Sequence, residues 1–401
     1  MGGVVIVGAG QAGASLAEKL RAEGHADDIT LIGAEPEPPY ERPPLSKGYL
    51  LGDVDKERLY LRPLSVYEDK KITLRLGMGV TKINPASQTI SCENEVIAYD
   101  QLALTMGSTP NQLPAKIGGD LPGVYTVRAL ACIDKIEPRF KAGARVLVVG
   151  GGYIGLEAAA VAAKLKMNVT LVEMAERILG RVAAEETADV VRARHLSEGV
   201  DIREGVGLKK LIGEDHVEGA ILTDGTELDV DFVIVGTGIQ PVSSLAEDAG
   251  IRCDSGIVVD TYGRTSVPNV WAAGDCTRFP YKGEMLRLES VQNAIDQAEN
   301  VAINMLGANE PYNPYPWFWS DQYDLKLQIA GLNTGYDHVV TRQASEGQSH
   351  WYFKDGVFLA VDAINAGRHY MIGKRLLEMG KTITPELAGD EDADLKALLK
   401  A

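Results

Sequence analysis

The sequence lacks the features that define several large classes of protein. No apolar run reaches the roughly 18 residues that a membrane-spanning helix needs. Asp and Glu outnumber Lys and Arg by 56 to 40, and the net charge of −16 argues against partners such as nucleic acid or an anionic membrane surface. The sequence opens on an apolar strand pattern with no basic leader, so we expect no signal peptide and a cytoplasmic protein.

Cysteine is scarce and widely spaced. The four cysteines are Cys92, Cys132, Cys253 and Cys276, and they form no C-x-x-C motif. This usage is typical of buried or incidental thiols in a reducing compartment. We therefore expect neither thiol–disulfide chemistry nor a metal or iron–sulfur site. The six histidines are scattered, and we expect them at the surface rather than as ligands.

What the sequence does contain is one glycine-rich pattern, present twice. The glycines of the two copies are Gly8, Gly10 and Gly13, and Gly150, Gly152 and Gly155. In each copy an apolar run precedes the glycines and a helical pattern follows them. A second apolar run then ends in an acid, Glu35 in the first copy and Glu173 in the second. Each copy is a complete dinucleotide-binding pattern of strand, G-x-G-x-x-G, helix, strand and acid.

Each position of this pattern has a physical task. The first glycine permits a tight turn, the second lets the backbone approach a pyrophosphate, and the third lets the helix pack on the strand. The N-terminus of the helix offers unpaired N–H groups to the phosphates, and the acid accepts hydrogen bonds from a ribose hydroxyl. One chain therefore carries two predicted dinucleotide sites.

The repeat continues beyond the glycines. Residues 99–110 (YDQLALTMGSTP) match residues 230–241 (VDFVIVGTGIQP), with Asp, Gly and Pro at the same places. From about residue 312 four strand patterns precede an amphipathic helix pattern at 373–380. The sequence thus predicts an α/β fold with two Rossmann-like domains and an α+β C-terminal domain.

A set of motifs makes the chain similar to a known family. These motifs are GAGQAG, RPPLSK, GGGYIGLE, GTGIQP, AAGDC, LESVQNA and PWFWSDQYD. Together they resemble the FAD-dependent NADH–ferredoxin reductases, the putidaredoxin-reductase-like group with the glutathione-reductase fold. The resemblance implies FAD on the first fingerprint and NADH on the second. It implies a split FAD domain (1–112 and 242–311), an inserted NAD domain (113–241) and a C-terminal domain (312–401).

The resemblance assigns a set of residues to FAD. They are Gly8, Gly10, Ala12, Gly13, Glu35, Arg42, Lys47, Val80, Arg128, Asp275 and Val291. Asp275 follows a strand and a glycine, so it can accept bonds from FAD hydroxyls, although a helix N-cap is the alternative. The helix after Val291 would point its N-terminus at the flavin. Val80 has the alternative of an ordinary core valine.

A second set is assigned to NADH. It comprises Gly150, Gly152, Tyr153, Ile154, Gly155, Glu157, Glu173 and Gly238. Glu173 carries the choice of coenzyme, because a carboxylate binds a free 2′-hydroxyl and repels a 2′-phosphate. Arg177 follows four residues later, so NADH is favoured and NADPH stays open.

The segment after Tyr40 raises a question about electron flow. Disulfide reductases of this fold carry redox cysteines near this point, whereas residues 41–50 here hold none. By resemblance the catalytic residues are Lys47, Glu157, Pro44 and Trp319. We expect Lys47 and Glu157 to form an ion pair across the two nucleotide domains, with Pro44 fixing the loop. A solvated lysine and a glutamate that complements its helix dipole are the alternatives.

The resemblance implies a path for the electrons. Hydride would pass from NADH to FAD, and single electrons would pass on to a two-iron ferredoxin that serves a haem monooxygenase or a ring dioxygenase. Docking would be transient and electrostatic, with Arg58, Arg62, Lys326 and Arg368 as candidate basic residues, on a monomer or weak homodimer. The alternatives are an NADH oxidase or peroxidase, which uses a cysteine near residue 45, and a redox-sensing protein of the apoptosis-inducing-factor kind.

Overall fold

The computed structural model describes residues 3–93 and 95–400. The strands, in chain order, are β1 (Val4–Val7), β2 (Ile29–Ile32), β3 (Ile72–Arg75), β4 (Val80–Asn84), β5 (Thr89–Cys92), β6 (Glu95–Ala98), β7 (Gln101–Leu104), β8 (Ser108–Pro110), β9 (Val124–Thr126), β10 (Arg145–Val149), β11 (Asn168–Glu173), β12 (Asp201–Glu204), β13 (Leu208–Ile212), β14 (Gly219–Leu222), β15 (Glu227–Asp229), β16 (Phe232–Val235), β17 (Ile239–Pro241), β18 (Ile257–Val258), β19 (Val270–Ala272), β20 (Thr277–Tyr281), β21 (Glu284–Leu286), β22 (Trp317–Gln322), β23 (Leu325–Gly331), β24 (His338–Gln343), β25 (Gln348–Lys354) and β26 (Val357–Ile364). The α-helices are α1 (Gln11–Ala22), α2 (Leu64–Asp69), α3 (Leu130–Ile136), α4 (Tyr153–Lys164), α5 (Glu185–Ser197), α6 (Ser244–Asp248), α7 (Val291–Met305), α8 (Gly367–Glu378) and α9 (Pro385–Gly389). Short 3-10 helices cover Pro43–Ser46, Lys56–Leu59, Ala115–Ile117, Glu137–Arg139 and Leu395–Leu399.

The chain forms two compact units, each built from three separate segments. Unit 1 consists of Met1–Arg42, Asp55–Thr109 and Ile239–Pro314. Unit 2 consists of Pro43–Val54, Pro110–Gly238 and Tyr315–Ala401. The central and C-terminal segments therefore share one unit, together with the short segment that contains Lys47. The division into three domains stays a prediction.

Unit 1 is organised around a parallel sheet of five strands in the order β19-β7-β1-β2-β3. Strand β1 consists of four buried apolar residues, as expected for a strand covered on both faces. The buried positions of α1 recur every three or four residues, and this face packs along α7. From β1 the chain adds β2 and β3 on one side of the sheet and later β7 and β19 on the other. The first glycine turn follows β1 and so lies at this change of direction, where α/β sheets bind ligands.

Unit 2 contains the second parallel sheet, in the order β12-β11-β10-β16-β9. Strand β10 holds the place of β1, with β11 on one side and β16 on the other. Helix α4 is rich in alanine and is buried along nearly its whole length. The second glycine turn therefore stands at the same topological position as the first.

The C-terminal part of unit 2 is an antiparallel sheet in the order β22-β23-β26-β25-β24. Four of its strands coincide with the strand patterns of the sequence. The aromatic segment at 316–324 forms an edge strand, β22, which the strand patterns did not include. Helix α8 begins at Gly367, six residues before the predicted helix pattern. No helix among the described residues is long and apolar enough to span a membrane.

Candidate functional site

The first glycine turn has room for a ligand at one glycine only. A Cβ on Gly8 would lie 2.3 Å from the carbonyl oxygen of Thr105, and a Cβ on Gly13 would lie 2.0 Å from that of Gly8. A Cβ on Gly10 would meet no atom of the described residues within 4 Å. Two glycines therefore close the turn against its own backbone. Gly10, the second glycine of the pattern, leaves open space beside the N-terminus of α1, as a pyrophosphate requires.

The second turn repeats this geometry. A Cβ on Gly150 would lie 2.5 Å from the carbonyl oxygen of Gly236, and a Cβ on Gly155 would lie 2.1 Å from that of Gly150. Gly152 again faces open space in the described part of the chain. Both turns therefore fit a dinucleotide pyrophosphate, and the agreement between them was predictable from the glycine spacing alone.

The acid of the first fingerprint is held by side chains. Arg42 donates to Glu35 Oε1 at 2.6 Å, and the Tyr40 hydroxyl donates to Glu35 Oε2 at 2.5 Å. Arg42 also donates to the Tyr40 oxygen at 2.8 Å. Glu35 and Arg42, both assigned to FAD by resemblance, thus form one charged cluster at the end of β2. Tyr40 belongs to this cluster and was not predicted as a site residue.

The acid of the second fingerprint is held by backbone. Glu173 Oε2 accepts the N–H of Gly151 at 2.7 Å, and its Oε1 accepts the N–H of Ala175 at 2.8 Å. Arg177 donates to the carbonyl oxygen of Ala183 at 2.8 Å, within the loop that follows β11. The carboxylate therefore lies against the glycine turn, and the nearby arginine contacts its own loop.

One further FAD candidate, Asp275, lies just after the end of β19. Asp275 accepts a hydrogen bond from the Ser108 hydroxyl at 2.9 Å. The preceding residue, Gly274, donates its N–H to Gln297 Oε1 at 2.8 Å, which ties the Gly-Asp turn to α7. Gln297 was missed at the sequence level, because a glutamine inside an amphipathic helix gives no distinctive signal.

The remaining cofactor candidates have ordinary surroundings. Ala12 is buried, and its Cβ would lie 3.1 Å from a Cβ on Gly274. The N-cap of α7, directly before Val291, is Ser290, whose Oγ accepts the N–H of Asn293. Val80 packs against the core, and Arg128 is half-buried in unit 2. Ile154 is exposed, and Gly238 has a φ of +93° that favours glycine. Their roles toward a cofactor stay predictions.

The ion pair between Lys47 and Glu157 is present. Lys47 Nζ lies 3.0 Å from Glu157 Oε1, and the carboxylate is only 4% exposed. The Ser46 hydroxyl donates to Oε2 at 2.8 Å, and the Ser320 hydroxyl donates to Oε1 at 2.7 Å. A buried carboxylate with three donors is well satisfied, and the alternative of a solvated lysine does not hold.

Both residues of the pair belong to unit 2, where Lys47 lies in the short segment Pro43–Val54. That the pair joins two nucleotide domains stays a prediction, as does the division into domains. Pro44 explains how the short segment reaches α4. Its carbonyl oxygen accepts the N–H groups of Lys47 and Tyr49 at 3.0 Å each, which closes a compact turn around the lysine. The same turn places Ser46, whose hydroxyl donates to Glu157.

Strand β22 presents alternate residues to the second fingerprint. Phe318 packs on Tyr153 with ring centroids 5.1 Å apart, Ser320 donates to Glu157, and the Gln322 amide oxygen accepts from His195 Nε2 at 2.8 Å. The other face carries two tryptophans, 5.6 Å apart between centroids: Trp317, which packs against Tyr370 and Lys374, and Trp319. Trp317 therefore packs within the C-terminal part of unit 2, and the catalytic role of Trp319 stays a prediction.

The cysteines have the properties of structural thiols. Burial raises the pKa of the Cys276 thiol to about 12 and that of Cys253 to about 11. Burial also raises the pKa of Cys92. Only thiolates attack disulfides efficiently, so these three thiols are poor redox groups at neutral pH.

The expectation of surface histidines is wrong for His195 and His350, which are fully buried. Both are held by polar side chains, His195 by Gln322 and His350 by Thr187. Burial lowers the pKa of both imidazoles, to about 4 for His350. Scattered sequence positions could not reveal this, because the partners are more than a hundred residues away in the chain.

Comparison with protein families agrees with the geometry. Residues 2–298 match the family described as pyridine nucleotide-disulphide oxidoreductase, and residues 317–399 match the one described as reductase C-terminal. The chain belongs to the pyridine nucleotide-disulphide oxidoreductase family. This confirms the fold class, with its two dinucleotide-binding parts and a distinct C-terminal part, and the assignment as an oxidoreductase.

Individual relatives narrow the comparison. A ferredoxin–NAD(P)+ reductase of Sphingomonas sp is 42% identical over 95% of this chain and 94% of its own length. Putidaredoxin reductase of Pseudomonas putida is 38% identical over 99% of this chain and 97% of its own. A crystal structure of a covalent putidaredoxin reductase–putidaredoxin complex matches with a TM-score of 0.95 and 38% identity, covering 100% of this chain and 99% of that one. The resemblance to the ferredoxin reductases is therefore confirmed.

Proposed function

We propose that this chain is an NADH-dependent ferredoxin reductase, which passes hydride from NADH to FAD and then single electrons to a two-iron ferredoxin. The observation that carries the proposal is the pair of matching glycine turns, each with an open second glycine at the switch point of a parallel sheet. One turn serves a resident dinucleotide and the other serves an exchanging one. Bound FAD supplies the conversion between two-electron and one-electron transfer.

The residues of unit 1 hold the resident cofactor in this proposal. Gly8, Gly10 and Gly13 form the pyrophosphate cradle, and the Glu35–Arg42 cluster meets the adenosine end. Asp275, fixed by Ser108, accepts hydroxyl groups of the cofactor. These assignments rest on the fit of the cradle and on the family of the chain.

The residues of unit 2 hold NADH and assist its reaction. Gly150, Gly152 and Gly155 form the cradle, and Glu173 favours a 2′-hydroxyl over a 2′-phosphate. The Lys47 ammonium supplies a fixed positive charge where negative charge develops during hydride transfer. Glu157 holds that ammonium in place, because a buried carboxylate at 3.0 Å restricts its rotamers.

The ferredoxin-type partner binds transiently and through charge. This chain has a net charge of −16, and ferredoxins of this type are acidic as well, so docking needs a local basic surface on this chain. Of the candidates, Arg62 lies 3.2 Å from Glu18 and Arg368 lies 3.9 Å from Asp394, and both are more than half exposed. A cytoplasmic location and a monomer or weak homodimer complete the proposal.

Stopped-flow and steady-state assays test this function. The purified chain should be yellow, NADH should bleach the flavin band, and reduction of a cytochrome should depend on an added two-iron ferredoxin. Ferredoxin-dependent activity should fall as salt rises. Rapid consumption of oxygen or peroxide without ferredoxin would point instead to an oxidase or peroxidase. Slow reduction of the flavin by NADH, accompanied by a change in the oligomeric state of the protein, would point to a redox sensor.

A further inference from the structure

A chain of hydrogen bonds ends on the Glu157 carboxylate and runs through buried side chains of unit 2. Ser320 Oγ lies 2.7 Å from Glu157 Oε1, and Gln322 Nε2 lies 3.1 Å from Ser320 Oγ. Gln322 Oε1 lies 2.8 Å from His195 Nε2, and the Tyr323 hydroxyl lies 3.3 Å from His195 Nδ1. Ser320, Gln322 and His195 are all at most 3% exposed.

The ionised Glu157 carboxylate sets the donor and acceptor of every hydrogen bond in this series. A carboxylate can only accept, so the Ser320 hydroxyl must donate its one proton to Glu157. The Ser320 oxygen is then free to accept, and it takes an N–H of the Gln322 amide. The amide oxygen of Gln322 consequently faces His195, whose Nε2 must carry a proton. Its Nδ1 then accepts from the hydroxyl of Tyr323.

The surroundings of His195 favour the neutral ring that this order needs. Burial lowers the pKa of the imidazole, the Gln322 hydrogen bond opposes that shift, and the nearby Arg194 charge adds to it. Arg194 lies over the Tyr323 ring at 4.7 Å and donates to Asp324 at 2.6 Å. All donors therefore point the same way, toward Glu157, and aligned bonds polarise one another.

We propose that Ser320, Gln322 and His195 are positioning residues for hydride transfer, which hold the Glu157 carboxylate in the orientation that fixes Lys47. The proposal rests on the proposed function, since it deepens the role of the Lys47–Glu157 pair. Ser46 completes the arrangement, because it binds the second carboxylate oxygen. With both oxygens held, the carboxylate cannot rotate, and the lysine keeps one position.

The test is a double-mutant cycle on the rate of flavin reduction by NADH. Ser320→Ala should lower the limiting rate about tenfold, the size expected for losing a charged hydrogen bond, with little change in the NADH concentration that gives half of that rate. Gln322→Met should lower it by only about threefold, because it acts one bond further away. Ser320→Thr keeps the hydroxyl and should restore most of the rate.

The Glu157→Gln background shows whether the serine acts through the carboxylate. There, Ser320→Ala should change the rate by less than about twofold, because the carboxylate it serves is already lost. Ser349→Ala is the matched control. Ser349 is a fully buried, hydrogen-bonded serine of the same sheet with no bond to Glu157, and its loss should leave the rate unchanged.

The outcomes separate this inference from the function on which it rests. If NADH does not reduce the flavin of the unchanged chain, the proposed function and the inference both fail. If reduction is fast, the inference alone is overturned by a Ser320→Ala variant that matches the unchanged chain, or by effects of Ser320→Ala that are equal in both backgrounds. Retention of the flavin spectrum in each variant identifies properly folded protein.

Discussion

The two glycine turns of this molecule share a backbone geometry and differ in what surrounds them. In unit 1 the acid of the fingerprint is bound by charged and hydroxyl side chains, and α1 packs along another helix. In unit 2 the acid accepts one N–H from the glycine turn and one from the loop after β11, and α4 packs against β22. The shared geometry suits a pyrophosphate. The differences suit a cofactor that stays in one case and a coenzyme that leaves in the other.

The difference extends along the two helices. Two residues after the third glycine, α1 carries Ser15 and α4 carries Glu157. Ser15 accepts a bond from its neighbour Gln11, whereas Glu157 is bound to Lys47 and two serines. At this position, therefore, α4 carries a buried charge pair, whereas α1 carries a neutral side chain that bonds within its own helix.

The largest expected effect comes from exchanging the third glycine in each turn. Gly155→Ala places a Cβ about 2 Å from a backbone carbonyl and must distort the second turn. The variant should keep its yellow FAD but lose flavin reduction by roughly a hundredfold or more. Gly13→Ala should instead distort the first turn, so the purified variant should contain little FAD. Absorbance at purification and stopped-flow reduction distinguish them, and loss of FAD from Gly155→Ala would contradict the assignment.

Removal of the lysine charge should have the next largest effect. Lys47→Ala should slow the limiting rate of flavin reduction by about a hundredfold, the size seen when one preorganised electrostatic partner is lost. NADH binding should change little. Ser15→Ala, at the position on α1 that corresponds to Glu157, is the matched control. An unchanged hydride-transfer rate in Lys47→Ala would return the lysine to a structural role.

The sequence was informative where chemistry follows from local spacing. The glycine turns and the acids at Glu35 and Glu173 were predictable from this spacing. The Lys47–Glu157 pair was predictable only from the resemblance to the ferredoxin reductases, because its two residues lie far apart in the chain. Ser320 and Gln322 were not, because a serine or glutamine on a strand has many uses. Nothing local indicates that β22 lies against α4, which is more than 150 residues earlier in the chain. His195 was misjudged for the same reason.

A third prediction concerns the buried carboxyl group near the start of α4. Asp362 accepts hydrogen bonds from Thr187 and Tyr352, and burial raises its pKa from 3.8 to about 6. Its Oδ1 and the Tyr153 hydroxyl are buried without a hydrogen-bond partner among the described residues. The corresponding start of α1 carries the half-buried Gln11. A charge on Asp362 therefore destabilises the folded state of unit 2, because the carboxylate is fully desolvated there.

The sign of its pH dependence follows from the raised pKa. Between about pH 4 and pH 6 the folded chain binds a proton that the unfolded chain does not, so stability falls as pH rises through this window. The total is at most about 3 kcal/mol. Asp362→Asn removes this contribution, so its melting temperature relative to the unchanged chain should be higher at pH 7 than at pH 4.5. A constant difference across this range would contradict the assignment.

The smallest effect should come from the acid that lies against the second turn. Glu173→Ala should lower the affinity for NADH about tenfold, the loss expected for hydrogen bonds to a charged group. It should also narrow the preference for NADH over NADPH, because the repulsion of a 2′-phosphate disappears. Full reversal is not expected, because Arg177 donates within its own loop. Glu35→Ala is the control, which should lower FAD affinity and leave coenzyme preference intact. The ratio of kcat/KM for NADH to kcat/KM for NADPH measures the coenzyme preference of each variant. If Glu173→Ala left that ratio unchanged, the backbone bonds to Gly151 and Ala175 would be the whole role of this carboxylate, and the acids of the two turns would differ in purpose as well as in partners.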